Sequence, residues 1–339
     1  MDTPVALIVF NRPDLTERVF AEVRRARPST LLLIADGPRA ARPTDVRKCA
    51  ETRAIVERVD WPCEVLKNYS DVNLGCGLRE SSGMTWIFEQ VEEAIVLEDD
   101  TLPHPSFFPF CEAMLDRYRH DERVMHISGD NWLVGGEAPS GESYLFSRYC
   151  LSWGWASWRR AFRLYDPTIA LWPRVRDTAW LKGLLGDNRA VEYWKRILDL
   201  THAGMKFVDT WDYQWLFTIW LHHGLSILPS VNLISNLGFA REDAAHMTGG
   251  ADDPRSRSAT AEMRFPLVHP EFMARDVLAD QRMFDQCIAP PPVLGLYGTV
   301  RQNIVDVLPT PVRRSLSTLK ARLTELAGSV DITGPRVGS

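Results

Sequence analysis

The sequence contains no apolar run of the roughly 18 residues that a membrane-spanning helix requires. It also lacks CxxC pairs, and its six cysteines stand at long, irregular spacings that argue against a zinc ribbon or a disulfide scaffold. The net charge of -5 leaves no basic excess for binding nucleic acid. We therefore expect a protein of a reducing compartment, without a nucleic-acid partner, that acts on small or polar molecules.

Several nucleotide-binding and hydrolase motifs are absent as well. There is no GxxxxGK loop followed by Ser or Thr, no GxGxxG after the first apolar run and no GxSxG elbow. These absences argue against a P-loop NTPase, a dinucleotide-binding fold and an α/β-hydrolase. The run PVALIVF, close to the N-terminus, lacks the basic segment and the cleavage site of a secretory signal. We expect a cytoplasmic protein, either soluble or peripheral at the inner face of the membrane.

Short apolar runs alternate with helix-like segments in the first hundred residues. The predicted strands cover residues 6–10, 30–37, 63–68 and 94–97. Apolar residues at helical spacing predict helices over residues 15–26, 45–59 and 78–91. Nearly continuous apolar strands that alternate with helices are typical of a mostly parallel sheet with helices on both faces. The predicted fold class is therefore α/β.

Polar residues follow each of these predicted strands. Arg12 comes after the first strand, Asp36 after the second, residues 68–77 (NYSDVNLGCG) after the third and residues 98–100 after the fourth. In such sheets ligands bind beyond the carboxyl ends of the strands. We expect these segments, which are distant in sequence, to meet at one edge of the sheet.

The stretch EAIVLEDDTLP ends an apolar run on Glu98, Asp99 and Asp100. Adjacent like charges raise one another's pKa unless a cation compensates them. Strand alternation would place Glu98 and Asp100 on one face and Asp99 on the other. The trio could then hold Mg²⁺ or Mn²⁺, which prefer oxygen ligands and often share them with a diphosphate. The alternative is a solvated acidic turn that caps the next helix.

The sequence is rich in tryptophan, with twelve residues that are concentrated between Trp153 and Trp220. Large side chains of this kind are usually buried, so a core role is one interpretation. Flat aromatic surfaces also stack against the apolar faces of sugar rings, so a carbohydrate site is the other.

With Arg12, Asp36 and VLEDD after successive strands, the chain resembles the GT-A nucleotide-sugar glycosyltransferases. Residues 96–131, VLEDDTLPHPSFFPFCEAMLDRYRHDERVMHISGDN, are similar to the donor-binding core of the N-acetylglucosaminyltransferase I type and its bacterial relatives. The resemblance implies a GT-A fold in which Asp100 binds the metal and Glu98 contacts the donor sugar. It further implies that Asp99 lies close by, that Asp36 contacts the nucleobase and that Arg12 lies near the nucleotide.

The resemblance also covers landmarks of the second half in pattern. Trp153, Gly154 and Trp155 are similar to the glycine-aromatic turn that lines the donor sugar. Asp212, in TWDYQW, is similar to the catalytic base of the family. Its aromatic neighbours would raise its pKa and make it a stronger base. The alternative is an acidic residue that favours the first turn of a helix.

Four further residues complete the predicted site. Gly75 and Arg79, in and after the loop that follows the third strand, are expected to bind the nucleotide sugar. Arg241 could pair with the diphosphate, although a surface arginine is the commoner meaning. His246 could be a second metal ligand, although a lone histidine in a polar loop is usually solvated.

The domain limits follow from the resemblance and from composition. We predict a glycosyltransferase domain over residues 1–288, with a nucleotide-sugar-binding half (1–130) and an acceptor-side half (131–288). A helical tail over residues 289–339 follows a run of three prolines. Its leucines recur at helical spacing among basic residues. This pattern predicts packing on the domain itself, a homodimer contact, or binding to an anionic membrane.

The predicted activity is metal-dependent, inverting transfer of a sugar from a nucleoside-diphosphate sugar, expected to be a UDP-sugar, to a glycan or lipid-linked acceptor. One rival is a nucleotidyltransferase, but the segment FNRPDLTER after the first strand lacks the glycine-rich basic loop of that class. The other rival is a catalytically silent carbohydrate-binding protein on the same scaffold.

Overall fold

The computed structural model describes residues 1–133, 141–204, 209–239, 241, 255 and 259–289. The strands are β1 (Val5–Val9), β2 (Thr30–Ala35), β3 (Glu64–Tyr69), β4 (Glu93–Glu98), β5 (Thr101–Pro103), β6 (Val124–Ser128), β7 (Tyr144–Ser147), β8 (Trp155–Trp158), β9 (Leu225–Pro229) and β10 (Ile234–Asn236). The helices are α1 (Pro13–Ala26), α2 (Thr44–Val56), α3 (Cys76–Gln90), α4 (Phe107–Tyr118), α5 (Arg159–Phe162), α6 (Trp172–Val175), α7 (Trp180–Leu185), α8 (Asn188–His202), α9 (Asp212–Leu221) and α10 (Val277–Met283). A π-helical turn, Phe284–Ile288, extends α10.

One sheet organises the described residues, with the strand order β3-β2-β1-β4-β8-β6-β9-β7. The neighbours β3, β2, β1 and β4 run parallel, as do β6 and β9. Strand β8 is antiparallel to both β4 and β6, and β7 is antiparallel to β9. The predicted α/β class, with a mostly parallel sheet flanked by helices, is confirmed.

Strand β1 shows why both faces of the sheet are covered. Val5, Leu7 and Val9 belong to a core that includes residues of α1 and α4. The alternate residues Ala6 and Ile8 belong to a second core, which includes residues of α3, α8 and α9. Because successive side chains of a strand point to opposite faces, an unbroken apolar strand needs a helix layer on each side.

The predicted elements of the first hundred residues are confirmed with small shifts at their ends. Helix α1 begins at Pro13, which suits a first helical turn because proline has no N–H to satisfy. The stretch of residues 227–238 is divided between two strands, β9 and β10. The chain bends between β9 and β10, where the Asn232 side chain accepts hydrogen bonds from the N–H groups of Asn131 and Ile234. Strand β10 then pairs antiparallel with β5.

Most of the tryptophans are core residues. Trp155, Trp158, Trp172, Trp215 and Trp220 are all less than 2% exposed. The core interpretation therefore accounts for these side chains. Trp132 and Trp153 are partly exposed and pack together with ring centroids 5.0 Å apart.

The described residues include no helix that is long and apolar enough to cross a membrane. The predicted helical tail lies outside the described residues. Its contact with a membrane or with a second copy of the chain stays a prediction, as do the domain limits.

Candidate active site

A cleft with a volume of about 230 Å³ lies beyond the carboxyl ends of β1, β2 and β4. Of the predicted site residues, those that line it are Arg12, Asp36, Gly75, Arg79, Glu98 and Asp99. Asn73 and Cys76, from the segment 68–77 that was expected at this edge, also line it, together with three polar residues that were not predicted, Arg39, Glu80 and Asp209. The edge expected from strand order therefore does bring these distant segments together.

Arg12 joins the acidic residues that follow β4. Its Nη2 atom lies 2.7 Å from Asp99 Oδ1, and its Nη1 atom lies 2.7 Å from Asp100 Oδ2. The backbone N–H of Phe10 donates to the other oxygen of Asp99 at 3.2 Å. The expected alternation of Glu98 and Asp100 on one face does not hold, because β4 ends at Glu98 and the next two residues form a turn.

The electrostatics of this group follow from burial and charge. Burial lowers the pKa of Arg12, but the carboxylates of Asp99 and Asp100 outweigh this effect and raise it above the usual range. Burial raises the pKa of Asp99 to about 6, although Arg12 opposes the shift. A single guanidinium, that of Arg12, thus pairs with two carboxylates. It offsets little of the negative charge of the other acids that line the cleft.

Asp36 stabilises the loop of residues 73–75 beside the cleft. Its carboxylate accepts hydrogen bonds from the N–H groups of Gly37, Leu74 and Gly75 and from the side-chain amide of Asn73, at 2.8–3.2 Å. The resemblance implied a contact with the nucleobase. In the structure, both carboxylate oxygens are already used by the loop, so Asp36 acts first on the loop's shape.

Gly75 and Arg79 lie at the start of α3. Gly75 precedes the helix with a φ of +83°, a conformation that favours glycine. The carboxylate of Asp209 accepts a hydrogen bond from the N–H of Gly77 at 2.9 Å and thereby satisfies one free donor of the helix start. Arg79 donates to the backbone oxygen and the side-chain oxygen of Asn68 in β3. Its Nε atom is buried without a partner, and burial lowers its pKa.

Glu80 lies one residue beyond Arg79 and also lines the cleft, where it accepts a hydrogen bond from the Cys76 thiol, with Sγ 3.1 Å from Oε1. Burial raises the pKa of Glu80 to about 8, opposed by the Cys76 thiol and helped by Asp212. Burial also raises the pKa of Glu98 well above its usual range, and Glu80 adds to this shift. Sequence reasoning missed Glu80, although its position beside Arg79 at the start of α3 could have indicated it.

Replacing Glu80 with glutamine is expected to raise the free energy of unfolding by up to about 4 kcal/mol at pH 8. The pKa of this carboxyl rises from 4.5 to about 8 on folding, so the folded chain keeps a proton that the unfolded chain loses. Stability is therefore lost as the pH rises through this range, and glutamine removes that loss. Urea denaturation at about pH 8 and about pH 4 measures the effect, which should vanish at the lower pH. Glu89→Gln, on an exposed position of the same helix, is the control; equal stabilities at pH 8 would contradict the prediction.

Asp212 is the first residue of α9 and lies near the Glu80 side of the cleft. Its Oδ1 atom accepts hydrogen bonds from the Thr210 hydroxyl at 2.6 Å and from the Tyr213 N–H at 3.0 Å. Its charge contributes to the raised pKa values of Glu80 and Cys150, which places it close to both. The geometry matches an acidic residue of a first helical turn, and the residue is partly exposed.

The two tryptophans of the predicted glycine-aromatic turn, Trp153 and Trp155, have different environments in the structure. Trp155 is 1% exposed and stacks on Trp211 with centroids 5.2 Å apart, so it belongs to the core and does not line the cleft. Trp153 is partly exposed and packs against Trp132 and Phe239. The expected role of Trp155 in lining a donor sugar is therefore corrected, because this residue begins β8 and faces the helix layer.

Gly154→Ala is expected to lower the free energy of unfolding by about 2 kcal/mol. Gly154 has a φ of +62°, which costs a residue with a Cβ atom about 1–2 kcal/mol. The added Cβ would also lie 2.5 Å from Cδ1 of Ile234. Chemical denaturation measures the loss, and Ile234→Val in the same chain should recover only the steric part. Gly183→Ala, which meets no atom within 4 Å, is the matched control; an equally small effect at both glycines would refute the strain at Gly154.

Two predicted site residues remain, Arg241 and His246. Arg241 pairs with Asp14 of α1, with its Nη1 atom 2.8 Å from Oδ2. It does not line the cleft. His246 lies outside the described residues.

A divalent cation can be tested against the residues present. Within the described residues, no three His, Cys, Asp or Glu side chains form a group that could hold a metal alone. The Oδ1 atom of Asp100 is nevertheless buried without a hydrogen-bond partner. Mg²⁺ usually takes one or two carboxylates and completes its shell with water and phosphates. The residues present therefore fit a cation that is shared between Asp100 and a ligand.

No protein-family model matches the chain, and no curated protein matches it. Among solved structures, the galactosyltransferase LgtC, in complex with donor and acceptor sugar analogues, is 11% identical over 86% of this chain and 98% of its own, with a TM-score of 0.36. Mouse xyloside xylosyltransferase 1 is 14% identical over 65% of this chain and 81% of its own, with a TM-score of 0.33. A UDP-glucose pyrophosphorylase complexed with UDP-glucose is 10% identical over 49% of this chain and 79% of its own, with a TM-score of 0.28. Likenesses this distant carry no functional argument, so function must be derived from the cleft.

Proposed function

We propose that the protein is an inverting glycosyltransferase that moves a sugar from a nucleoside-diphosphate sugar, expected to be a UDP-sugar, to a glycan or lipid-linked saccharide. The observation that carries this proposal is that the two sides of the cleft differ in charge. A buried arginine with a free N–H, Arg79, lies on its β3 side. The carboxyl groups of Glu80, Glu98 and Asp99 lie on its β4 side, with Asp212 nearby.

The β3 side of the cleft suits the nucleotide. The free Nε of Arg79 is a hydrogen-bond donor that a ligand can satisfy, and the cost of burying it unpaired falls when it is paired. Phe10 offers an aromatic ring at the same edge, with the Arg39 guanidinium 5.1 Å from its centroid. The loop of residues 73–75, which the Asp36 carboxylate stabilises, borders this side of the cleft. In this proposal Asp36 supports the nucleotide through the loop that it shapes.

A divalent cation, Mg²⁺ or Mn²⁺, would be held by Asp100 through its free Oδ1 atom. When bound, it would offset the negative charge of the leaving diphosphate. Arg12 keeps the Asp99 and Asp100 side chains in place, because it donates to both. His246 stays a predicted second ligand.

Asp212 is the residue proposed as general base. In inverting transfer, the acceptor hydroxyl gives its proton to a carboxylate while its oxygen bonds to the anomeric carbon, and the bond to the diphosphate breaks on the opposite face. Asp212 is partly exposed and close to Glu80, so it lies beside the side of the cleft where we place the sugar. The hydrogen bonds from the Thr210 hydroxyl and the Tyr213 N–H to Oδ1 fix the orientation of its carboxylate.

A thermal-shift screen of nucleoside-diphosphate sugars, with and without Mn²⁺, tests the proposal. We expect at least one donor to raise the melting temperature, with a larger shift when Mn²⁺ is present. A nucleotidyltransferase would instead respond most strongly to a nucleoside triphosphate with a sugar phosphate. A silent carbohydrate-binding protein would respond to free saccharides and not to nucleoside diphosphates. Absence of any shift with every donor would count against the proposal.

A further inference from the structure

Three aromatic rings, those of Trp132, Trp153 and Phe239, form an aromatic cluster beside the cleft. The Trp153 ring packs against Trp132 with centroids 5.0 Å apart and against Phe239 with centroids 5.2 Å apart. All three side chains are partly exposed, whereas Trp155 is buried in the core. None of the three lines the cleft itself. Because exposed aromatic surface is unfavourable in water, a group of such rings is typical of a place where a ligand binds.

The aromatic cluster lies at the same edge of the sheet as the cleft. Trp132 follows β6, and Trp153 precedes β8, which is antiparallel to β4 and β6. Phe239 follows Gly238, where an added Cβ atom would lie 2.5 Å from Asp100 Oδ2. Strand β8 is the neighbour of β4 on the side away from β1. The aromatic cluster and the nucleotide side of the cleft therefore lie on opposite sides of the acidic residues that follow β4.

Arg255 relates the aromatic cluster to the start of α9. Its guanidinium carbon lies 5.7 Å from the ring centroid of Trp132 and 6.0 Å from that of Phe239. Burial raises the pKa of Tyr213, the charge of Asp212 adds to this shift and the charge of Arg255 opposes it, so both charged groups lie near Tyr213. A ligand on the aromatic cluster is thus close to the residue proposed as general base.

We propose that the aromatic cluster is the acceptor subsite, on which the terminal pyranose ring of a saccharide acceptor stacks with one hydroxyl turned towards Asp212. This inference rests on the proposed function. A pyranose ring has apolar C–H faces and a polar edge, so a flat aromatic surface can bind the face and leave the hydroxyls free. An acceptor placed here approaches from the side opposite the nucleotide. Inverting transfer needs this arrangement, because the hydroxyl attacks opposite the leaving diphosphate.

Unpaired polar groups beside the rings support a binding role. Asp130, two residues before Trp132, is 0% exposed, and neither of its carboxyl oxygens makes a hydrogen bond. The Nε1 atom of Trp132 is also buried without a partner. Stability alone favours pairing such groups or replacing them with apolar ones. Local departures from that rule are expected at functional sites.

The test uses small saccharides as acceptor probes. Saturation-transfer NMR measures the binding of the methyl pyranosides of glucose, galactose and mannose to the full chain, with Mg²⁺ and the nucleoside diphosphate that binds it. We expect at least one pyranoside to bind, and we expect no binding of sorbitol, which has hydroxyls but no ring. Trp132→Leu should weaken pyranoside binding by at least about fivefold and leave the affinity for the nucleoside diphosphate within about twofold.

Further variants separate stacking from folding, with the melting temperature of each as a check. Phe239→Leu, at the other end of the aromatic cluster, should also weaken pyranoside binding. Trp132→Phe keeps a smaller ring and should recover part of the affinity. Trp180→Leu is the matched control, because Trp180 is also partly exposed and packs on Phe217, outside the aromatic cluster. This control should bind the pyranoside as the wild type does.

The outcomes separate this inference from the proposed function. If a nucleoside diphosphate binds but no pyranoside does, or if Trp132→Leu and Phe239→Leu bind the pyranoside as tightly as the wild type, the acceptor subsite is wrong while the proposed function stands. If a nucleoside-diphosphate sugar displaces the pyranoside and the nucleoside diphosphate alone does not, the rings bind the donor sugar, and the acceptor assignment is again wrong. If no nucleoside diphosphate binds, the proposed function fails and this inference fails with it.

Discussion

Replacing Asp212 with asparagine is expected to lower kcat for sugar transfer by about 10²–10⁴-fold, the contribution usual for general-base catalysis. Asparagine keeps the shape of the side chain, and its amide oxygen can still accept the hydrogen bonds from Thr210 and Tyr213. It cannot take the proton of the acceptor hydroxyl. Affinity for the donor should stay within a factor of a few, because the donor contacts are proposed to lie elsewhere in the cleft. Donor consumption measured by NMR, together with calorimetric donor affinity, checks both parts.

The control for this variant is Asp187→Asn. Asp187 caps α8 by accepting a hydrogen bond from the N–H of Ala190 at 2.9 Å, and asparagine is an equally good cap. We expect unchanged turnover in this control. Unchanged turnover in Asp212→Asn would exclude Asp212 as the base and leave it as an acidic residue of the first turn of α9.

Arg12→Ala is expected to lower the free energy of unfolding by about 3 kcal/mol at neutral pH. The substitution leaves Asp99, which is 2% exposed, beside Asp100 without a cation. Such a loss exceeds that of a surface ion pair because the stranded carboxylates cannot be hydrated fully. The loss should shrink as the pH falls below about 6, the folded-state pKa of Asp99 in the intact chain, because protonation removes the uncompensated charge. Urea denaturation from pH 7.5 down to about 5 measures the trend.

Two further variants serve as comparisons for Arg12→Ala. Arg12→Lys keeps the charge but not the two-armed geometry, and it should recover part of the stability. Arg24→Ala removes an arginine that pairs with Asp60 on the surface, where both side chains are more than half exposed. This variant should lose far less stability than Arg12→Ala, because an exposed ion pair contributes little to folding. A loss in Arg12→Ala as small as that in Arg24→Ala would show that Arg12 does not stabilise the acidic turn.

The sheet and its carboxyl edge could be predicted because they depend on local pattern and on a topological rule. A run such as VALIV is apolar at every position, so it must be buried on both faces. The rule that ligands bind beyond the carboxyl ends of parallel strands then places Arg12 and the residues that follow β4 at one edge. Both inferences need only the order of elements along the chain.

The roles within the site were less predictable because they depend on which partner each side chain finds. Asp36 was expected to contact a nucleobase, yet its carboxylate accepts hydrogen bonds from the Asn73 side-chain amide and from the N–H groups of Leu74 and Gly75. Nothing in the spacing shows that this loop folds back onto it. Trp155 was assigned to the cleft from a pattern shared with Trp153, but its neighbour Trp211 is distant in sequence and holds it in the core. Asp209 approaches α3 from 132 residues away, which is equally invisible to local pattern.

The central claim is that the cleft beyond β1, β2 and β4 is the site for a nucleoside-diphosphate sugar. The most direct test is a crystal structure of the protein with Mn²⁺ and the nucleoside diphosphate selected by the thermal-shift screen, using anomalous scattering to locate the metal. We predict a manganese peak beside Asp100, the nucleotide against Arg79 and the side of the cleft with Glu80 and Glu98 left open for the sugar. A nucleotide bound elsewhere, with this cleft empty, would contradict the account.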